Sequence, residues 1–326
     1  MPDKVDLDAL SDLATPWSVY VVATIGVAEH MDAGITKIDE LAQKTNCDAE
    51  TLARVLRHLV GRGVFEEPAD GEFTLNEAAR GFLDPVMARA HDLDGHTGRV
   101  ATAWSGLLAA VRTGRPAYQE VFERSFWEDL EANPHIAADY DLLMGHEGGF
   151  VPDAAILVND DWDNVSHVID VGGGTGAMLA EILRVHPDVR GTLVDLPRTV
   201  AQSGPVFESA GVADRVTVSG QSFFDPLPGG ADVYLLKRVV IDWPDDGVVK
   251  LLTRCAEAAG PNGRVVVVGG VSAGASAKGG LLTMLVTGGK PRTVEQFRVL
   301  ADKAGLRITA TGDGQAGPVI VECRRK

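Results

Sequence analysis

Apolar positions in the first part of the chain recur at the spacing of amphipathic helices. The stretch "TLARVLRHLVGRG" carries leucines and valines at intervals of three and four residues, and the pattern stops at Gly61. The preceding "ITKIDELAQKTNCDAE" predicts a second short helix, and "VFEEP" and "EFTLN" predict a hairpin around Asp70–Gly71. Helix, turn, helix and hairpin in this order predict a winged-helix domain over residues 1–90. Residues 91–160 are also patterned as helices and predict a helical linker.

The pattern changes at about residue 161, where short runs rich in valine and isoleucine alternate with helical segments. These runs are "HVIDV", "GTLVDL", "DRVTV", "DVYLL", "GRVVVVGG", "RITAT" and "PVIVEC". Near-continuous apolar strands separated by helices are typical of a parallel sheet that is covered on both faces. We therefore predict that residues 161–326 form a doubly wound, mainly parallel, Rossmann-like α/β domain.

Composition narrows the class of protein. The chain has 326 residues, with 30 basic and 46 acidic side chains, a net charge of −16. This balance disfavours general binding to nucleic acid or to an anionic membrane, which needs clustered lysine and arginine. Cys47, Cys255 and Cys323 are too few and too far apart for a metal-binding CxxC pair, and they favour a reducing compartment. No apolar run is long enough to span a bilayer, and the N-terminal stretch lacks a signal-peptide core, so we expect a cytoplasmic protein.

A glycine-rich segment, "VIDVGGGTGAMLAEIL", joins a predicted strand to a predicted helix over Val168–Leu183. Glycines at such a turn let the backbone approach a ligand closely, and the helix N-terminus presents free N–H groups. The loop fits the dinucleotide pattern GxGxx(G/A), and it also fits GxGxG. A carboxylate at Asp170 would repel a pyrophosphate but attract an ammonium group, which favours S-adenosylmethionine over NAD. Asp195 ends the next strand, where a carboxylate can accept both ribose hydroxyls; a structural turn without a ligand is the alternative.

Several motifs together resemble the S-adenosylmethionine-dependent small-molecule O-methyltransferases. They are "HVIDVGGGTGAMLAEIL", "GTLVDLP", "FFDPLPGGADVYLLKRVVIDWPDD", "LLTRCAEAAGPNGRVVVV" and "LLAAVRTGRPAYQEVFERSFWEDL". The resemblance extends from about residue 10 to the end. More narrowly, the chain resembles the actinobacterial branch, whose enzymes modify aromatic polyketides such as anthracyclines and enediyne naphthoates. It implies a homodimer, in which the winged-helix segment serves dimerisation and substrate closure.

The resemblance also implies a set of cofactor-binding residues. Asp170 would orient the amino end of S-adenosylmethionine, Asp195 would hold its ribose, and Leu196 would flank the adenine. Ser222 and Phe223 would lie against the adenine, although relatives more often have an aspartate in place of the serine. The residues that line the rest of the cofactor would be Gly172, Gly173, Gly174, Gly176, Lys237 and Arg238.

The catalytic pattern of the family is altered. Many relatives read "HDW" where this chain reads "VVIDW", so that their general-base histidine is replaced by Ile241. Relatives often support that histidine with a glutamate at the end of the following strand, where this chain has Gly269. Base and supporting carboxylate are therefore missing together.

Three explanations stay open for this change. Methyl transfer can proceed by positioning alone, because the sulfonium is already a strong electrophile. Another base can replace the histidine: His146, in a helix that covers the substrate in relatives, or Asp242, which could otherwise cap a helix beginning near Pro244. Finally, the protein can belong to the members of this branch that use the bound cofactor for decarboxylation or hydroxylation rather than methylation.

The substrate is expected outside the carboxyl ends of the strands, under a lid formed by residues 91–160. Flat or pliable apolar side chains there and in "LLTMLVTGGKPRT" suggest a flat aromatic acceptor. The candidate substrate residues are Trp104, Met144, Phe150, Leu281 and Met284. His91 and His96 lack the spacing of a metal site, and we predict no bound metal.

The combined prediction is a homodimeric O-methyltransferase that methylates a phenolic hydroxyl of an aromatic natural-product intermediate. Because the usual histidine is Ile241, we expect catalysis by proximity rather than by a dedicated base. A cofactor-binding but non-methylating tailoring enzyme is the alternative. Arg54, Arg57 and Arg62 on the winged helix suggest DNA binding as a third class, which the acidic net charge disfavours.

Overall fold

The structure, a computed structural model, describes residues 6–144, 152–272, 280–313 and 319–326. The chain divides into two compact units. The N-terminal unit comprises Met1–Thr102 and Asn133–Leu143, and the C-terminal unit comprises Ala103–Ala132 and Met144–Lys326. The middle segment predicted as one helical linker is therefore shared between the two units.

Residues 6–144 are mainly helical. Their elements are α1 (Leu7–Leu10), α2 (Ala14–Thr24), α3 (Val27–Asp32), α4 (Ile38–Thr45), α5 (Ala49–Val60), β1 (Glu66–Ala69), β2 (Glu72–Thr74), α6 (Pro85–Arg89), α7 (His96–Ala103), α8 (Leu107–Thr113), α9 (Ala117–Phe122), α10 (Phe126–Ala132) and α11 (Pro134–Met144). Helices α4 and α5 followed by the antiparallel pair β1–β2 give the predicted winged-helix order. Asp48 caps α5 by accepting a hydrogen bond from the Thr51 amide at 2.8 Å, and Leu52, Leu56 and Leu59 form the buried face of that helix.

The remaining elements alternate between strands and helices. They are β3 (His167–Val171), α12 (Ala177–Val185), β4 (Arg190–Asp195), α13 (Pro197–Val200), α14 (Ser203–Ser209), β5 (Val216–Gly220), β6 (Val233–Lys237), α15 (Asp245–Ala259), β7 (Arg264–Val268), β8 (Val271–Ser272), α16 (Leu281–Thr287), β9 (Arg292–Thr293), α17 (Val294–Lys303), β10 (Leu306–Asp313) and β11 (Val319–Arg325). Every strand that the apolar runs predict is present.

A seven-stranded sheet organises the C-terminal unit, in the order β10-β11-β7-β6-β3-β4-β5. Strands β7, β6, β3, β4 and β5 pair in parallel, whereas β11 runs antiparallel to both β7 and β10. Ile169 packs in the core formed with α15 and α17, and Val168 packs in the core formed with α12 and α14, because successive side chains on a strand point to opposite faces. The predicted fold class is confirmed: a helical N-terminal region precedes a mostly parallel α/β sheet.

The direction of winding reverses beside β3. From β3 the chain continues to β4 and β5 on one side, and it then returns to β6 on the other side of β3. In doubly wound sheets such a reversal leaves a crevice outside the carboxyl ends of the strands, and ligands bind there. The glycine-rich segment follows β3, and "RVVIDW" follows β6, so the two motifs lie on either side of this crevice.

No helix within the described parts of the chain is long and apolar enough to cross a bilayer.

Candidate active site

The loop after β3 requires glycine for two separate reasons. Gly172, Gly174 and Gly176 have φ values of 72°, 63° and 90°, which L side chains rarely adopt. A Cβ atom at Gly172 would also lie 2.9 Å from Cγ2 of Val239 and 3.3 Å from the ring of Phe223. The loop therefore runs directly beneath the segments that follow β5 and β6. Helix α12 begins at this loop without a side-chain cap, which leaves N–H groups of its first turn for another acceptor.

Asp170 lies beneath the loop and is completely buried. Neither oxygen of its carboxyl group has a hydrogen-bond partner among the described residues. Burial, and then the charge of Asp195, raise the pKa of Asp170 to about 7, while Lys237 opposes the shift. An unpaired buried carboxylate is costly unless a donor or a cation reaches it. The site therefore favours a ligand that brings a positively charged hydrogen-bond donor.

Asp195 ends the neighbouring strand β4 and braces the loop. Its Oδ2 accepts a hydrogen bond from the Gly174 amide at 2.8 Å, and its Oδ1 accepts one from the Leu196 amide at 2.7 Å. Burial raises the pKa of Asp195 even though these two bonds act in the opposite direction. Each carboxylate oxygen has a second lone pair, so the group can still accept hydrogen bonds from a pair of hydroxyls.

Aromatic rings line the side of the crevice that follows β5. Phe223 packs against Gly172 and meets Trp243 edge-on, with ring centroids 5.8 Å apart. Ser222 stabilises this turn, because its hydroxyl accepts a hydrogen bond from the Phe224 amide at 3.2 Å. Trp243 in turn stacks on Trp127 at a centroid separation of 5.8 Å. The result is a flat apolar wall of partly buried rings beside the glycine loop.

The two basic residues after β6 have different environments. Lys237 is partly buried; desolvation lowers its pKa, while the charges of Asp153 and Asp170 raise it. Arg238 is exposed and has a left-handed backbone with φ 60°. A Cβ atom at Gly269 would lie 3.3 Å from Cγ of Arg238. The aliphatic part of the Arg238 side chain therefore lies next to Gly269, the position at which relatives often carry glutamate.

Asp242 ends a 3-10 turn, Val240–Asp242, directly after the position of the missing histidine. The interpretation of Asp242 as a helix cap is wrong: α15 has Pro244 as its N-cap and no side-chain cap hydrogen bond. The Asp242 carboxyl is partly buried and forms no hydrogen bond with any described residue. Burial raises its pKa to about 7, and the charge of Arg238 opposes the shift. A carboxyl group with these properties can accept a proton near neutral pH.

The predicted substrate residues are only partly brought together. Leu281 and Met284 lie on α16, which packs against α9 and against the Val240–Asp242 turn. Trp104 begins a 3-10 turn that also packs against α9, and Met144 ends α11; both side chains are exposed. His146 and Phe150 lie outside the described residues. Within those residues no group of three His, Cys, Asp or Glu side chains is arranged to hold a metal.

The sequence did not predict a buried arginine beside this site, which is paired with a partly exposed aspartate. Arg292 on β9 is 2% exposed and donates two hydrogen bonds to Oδ1 of Asp245, at 3.0 and 2.8 Å. The local sequence "RTVEQ" predicts a helix that starts after a threonine cap, and that cap is present. Nothing in the local pattern indicates that the arginine next to the cap is buried, because its partner lies 47 residues earlier.

Comparisons with known proteins agree with this geometry. A family model for the O-methyltransferase domain matches residues 104–307. The chain is 39% identical over 311 residues to the 2,7-dihydroxy-5-methyl-1-naphthoate 7-O-methyltransferase of Streptomyces carzinostaticus, covering 94% of this chain and 93% of that one. It is 37% identical over 325 residues to aclacinomycin 10-hydroxylase RdmB of Streptomyces purpurascens, covering 95% and 87%.

A solved structure has the same fold over its full length. It is that of the O-methyltransferase NcsB1 from neocarzinostatin biosynthesis, in complex with S-adenosylmethionine and 2-hydroxy-5-methyl naphthoic acid. The TM-score is 0.90 at 38% identity, covering 99% of this chain and 100% of that one. The chain therefore belongs to the O-methyltransferase family and is an S-adenosylmethionine-dependent methyltransferase.

Proposed function

We propose that this enzyme methylates a phenolic hydroxyl on a naphthoate-like aromatic intermediate of natural-product biosynthesis. The observation that carries the proposal is the buried, unpartnered carboxyl group of Asp170 beneath a glycine-rich loop. This combination suits a ligand with a positively charged amino group and suits a pyrophosphate poorly. The naphthoates named for a similar protein and in a similar solved structure support the choice of acceptor.

The described residues fit S-adenosylmethionine in their chemistry. Asp170 would bind the amino group, and Asp195 would accept the ribose hydroxyls. Leu196, Ser222 and Phe223 would border the adenine. The cofactor would pass along Gly172, Gly173, Gly174 and Gly176, with Lys237 and Arg238 along its far side. When bound, the cofactor supplies an electrophilic methyl group on a sulfonium.

We propose that Asp242 is the general base that accepts the proton of the acceptor hydroxyl. Its pKa of about 7 allows it to be ionised at neutral pH and still to accept a proton. Ile241 adds an apolar side chain next to it, which favours exclusion of water. The charge of Arg238 opposes the rise in the pKa of Asp242. In this proposal the carboxylate of Asp242, with Arg238 near it, replaces the histidine and glutamate of relatives. The role of His146 stays a prediction.

Radiolabel transfer tests the proposal. The enzyme would be incubated with methyl-labelled S-adenosylmethionine and a panel of hydroxylated naphthoic acids. We expect label in an O-methylated product, and we expect Asp170→Asn to abolish both transfer and cofactor binding. Binding of neither S-adenosylmethionine nor S-adenosylhomocysteine by the wild-type protein would refute the proposal.

A non-methylating activity is the second candidate. It is favoured by the loss of the histidine at Ile241 and by the 37% identity to a 10-hydroxylase. In the same assay this activity would give an altered product that contains no label. An anthracycline substrate should therefore be included in the panel.

We also propose that the enzyme is a homodimer. Three leucines of the N-terminal unit, Leu7, Leu10 and Leu13, are each more than 70% exposed, and Trp17 is 41% exposed. Apolar side chains grouped in this way on short helices fit burial against a second copy of the chain.

The free cysteines Cys47, Cys255 and Cys323 support a cytoplasmic location.

A further inference from the structure

Arg292 connects three segments around the Val240–Asp242 turn. Its Nη1 donates to the carbonyl of Val240 at 2.9 Å and to that of Lys290 at 3.0 Å. Its Nη2 donates to the carbonyl of Trp243 at 2.8 Å, and Nε and Nη2 both reach Oδ1 of Asp245. The guanidinium thus holds the backbone on both sides of Ile241 and Asp242.

These contacts supply what the local backbone lacks. The turn is a single 3-10 turn, and Trp243 after it is extended, so regular helical bonds do not fix this stretch. Pro244, which follows, has no N–H, and α15 has no side-chain cap. Burying an arginine carries a desolvation cost, and here that cost is offset by hydrogen bonds to three carbonyls and one carboxylate.

The backbone of Arg292 is itself fixed. Its amide donates to the carbonyl of Gly270 at 3.1 Å, in the short parallel pair β8–β9. The next residue, Thr293, forms a capping box with Gln296 at the start of α17. A Cβ atom at Gly270 would lie 3.1 Å from Cβ of Ile241, so β8 also lies directly against the turn. Arg292 therefore connects a rigid frame to the segment that carries Asp242.

We propose that Arg292 is a positioning residue, which holds the Val240–Trp243 backbone so that Asp242 faces the acceptor hydroxyl. This inference rests on the proposed function, since it presupposes that Asp242 serves the reaction. Arg292 touches neither acceptor nor cofactor in this role. It acts through the carbonyls of Val240 and Trp243, which flank Ile241 and Asp242.

Arg292→Lys and Arg292→Met test the proposal, because a lysine retains the charge but cannot bond to all four acceptors at once. We expect kcat for methyl transfer to fall about tenfold to a hundredfold, with a displaced pH–rate profile. The Kd for S-adenosylhomocysteine should change less than about twofold, since the Arg292 guanidinium bonds to none of the proposed cofactor residues. Hydrogen exchange of the amides of residues 240–247 should become faster.

Arg264→Lys is the matched control. Arg264 is also a buried arginine, 6% exposed, but it lies at the start of β7 and bonds to Glu322 and to the carbonyl of Asp161. It should leave the pH–rate profile and the exchange of residues 240–247 unchanged. If the Arg292 variants fail to fold, Asp245→Asn weakens the same connection from its exposed end, and Asp246→Asn on the same helix turn is its control.

An unchanged pH–rate profile in the Arg292 or Asp245 variants would overturn the inference, as would equal effects of Arg264→Lys. The proposed function fails in a different way, through the absence of methyl transfer by the wild-type enzyme. Hydrogen exchange separates the two outcomes, because faster exchange at residues 240–247 reports the loss of the connection without any turnover.

Discussion

A Cβ atom at Gly173 would lie 2.5 Å from Oδ2 of Asp170, so the loop and the buried acid leave no room for any side chain between them. Gly173→Ala should therefore displace either the loop or the carboxylate. We expect S-adenosylhomocysteine affinity to fall by at least about tenfold, measured by calorimetry. Gly204→Ala is the control, because a Cβ there would meet nothing within 4 Å and alanine favours helix α14. Equal affinity in both variants would contradict the assigned position of the cofactor.

Asp170→Asn should separate stability from function. The folded-state pKa of Asp170 is about 7, above its ordinary value of 3.8, so the folded protein binds the proton more tightly between these pH values. Its contribution to stability is present below pH 4 and is lost as pH rises through 7. The difference of about 3 units corresponds to at most about 4 kcal/mol. The variant should therefore have a higher Tm than the wild type at pH 8 without cofactor, and the difference should disappear near pH 4.

The same variant should lose stabilisation by S-adenosylhomocysteine. Wild-type protein should gain several degrees in Tm with saturating ligand, as mass action requires. Binding should also release protons near pH 7, since a cation beside Asp170 lowers the pKa of its carboxyl group. Calorimetry in buffers of different ionisation enthalpy measures this release. A full ligand-induced Tm shift in Asp170→Asn would argue against the role of Asp170.

Asp242 should determine the acid limb of the pH–rate profile. Burial raises its pKa to about 7, and a general base is active when deprotonated, so kcat should rise with pH and level off above about 7. Asp242→Asn should lower kcat by about 10²–10⁴-fold and remove this limb. Asp246→Asn, on the exposed first turn of α15, should leave the profile unchanged. A limb that persists in Asp242→Asn would assign it to the acceptor hydroxyl or to another base.

Tyr118→Phe should destabilise the C-terminal unit. The Tyr118 hydroxyl donates to Oδ2 of Asp129 at 2.6 Å, and both residues are buried. Loss of this donor should cost about 1–3 kcal/mol in the free energy of unfolding, measured by denaturant titration. Tyr20→Phe is the control, because the Tyr20 hydroxyl forms no hydrogen bond with a described residue. An equal, small effect of both substitutions would show that the buried bond contributes little.

Charged residues at the exposed leucines should weaken the proposed dimer. Leu10→Glu combined with Leu13→Glu places two carboxylates on a surface that we expect to be covered by a second chain. Light scattering should then show a smaller mass at micromolar protein concentration. Val299→Glu, at an equally apolar exposed position on α17, should leave the mass unchanged. A monomeric wild-type protein would contradict the dimer.

Most of the sheet could be predicted because its strands are short, almost wholly apolar runs such as Val168–Val171 and Arg264–Val268. Burial on both faces gives such runs a composition that does not depend on which strand lies beside them. The glycine loop was recognisable for a similar reason. Its backbone needs positive φ values and close contacts, and only glycine satisfies both.

Other features had no local signal. Strands β8 and β9 have two residues each, and Val271 pairs with Arg292 although α16 lies between the two strands in the sequence. Asp242 fitted a helix cap equally well by position, and only the observed start of α15 excludes that role. The helical middle segment also gave no indication that Asn133–Leu143 belongs with the N-terminal unit.

The resemblance of whole motifs supplied the family, and local composition was sufficient for the strands and the glycine loop. It was sufficient because backbone conformation and the burial pattern of a strand depend on residues that are consecutive in the sequence. The ionisation of Asp170 and Asp242 and the contacts of Arg292 depended on the folded chain. Desolvation and hydrogen bonding act between residues that are distant in sequence and meet only when the sheet has closed around them.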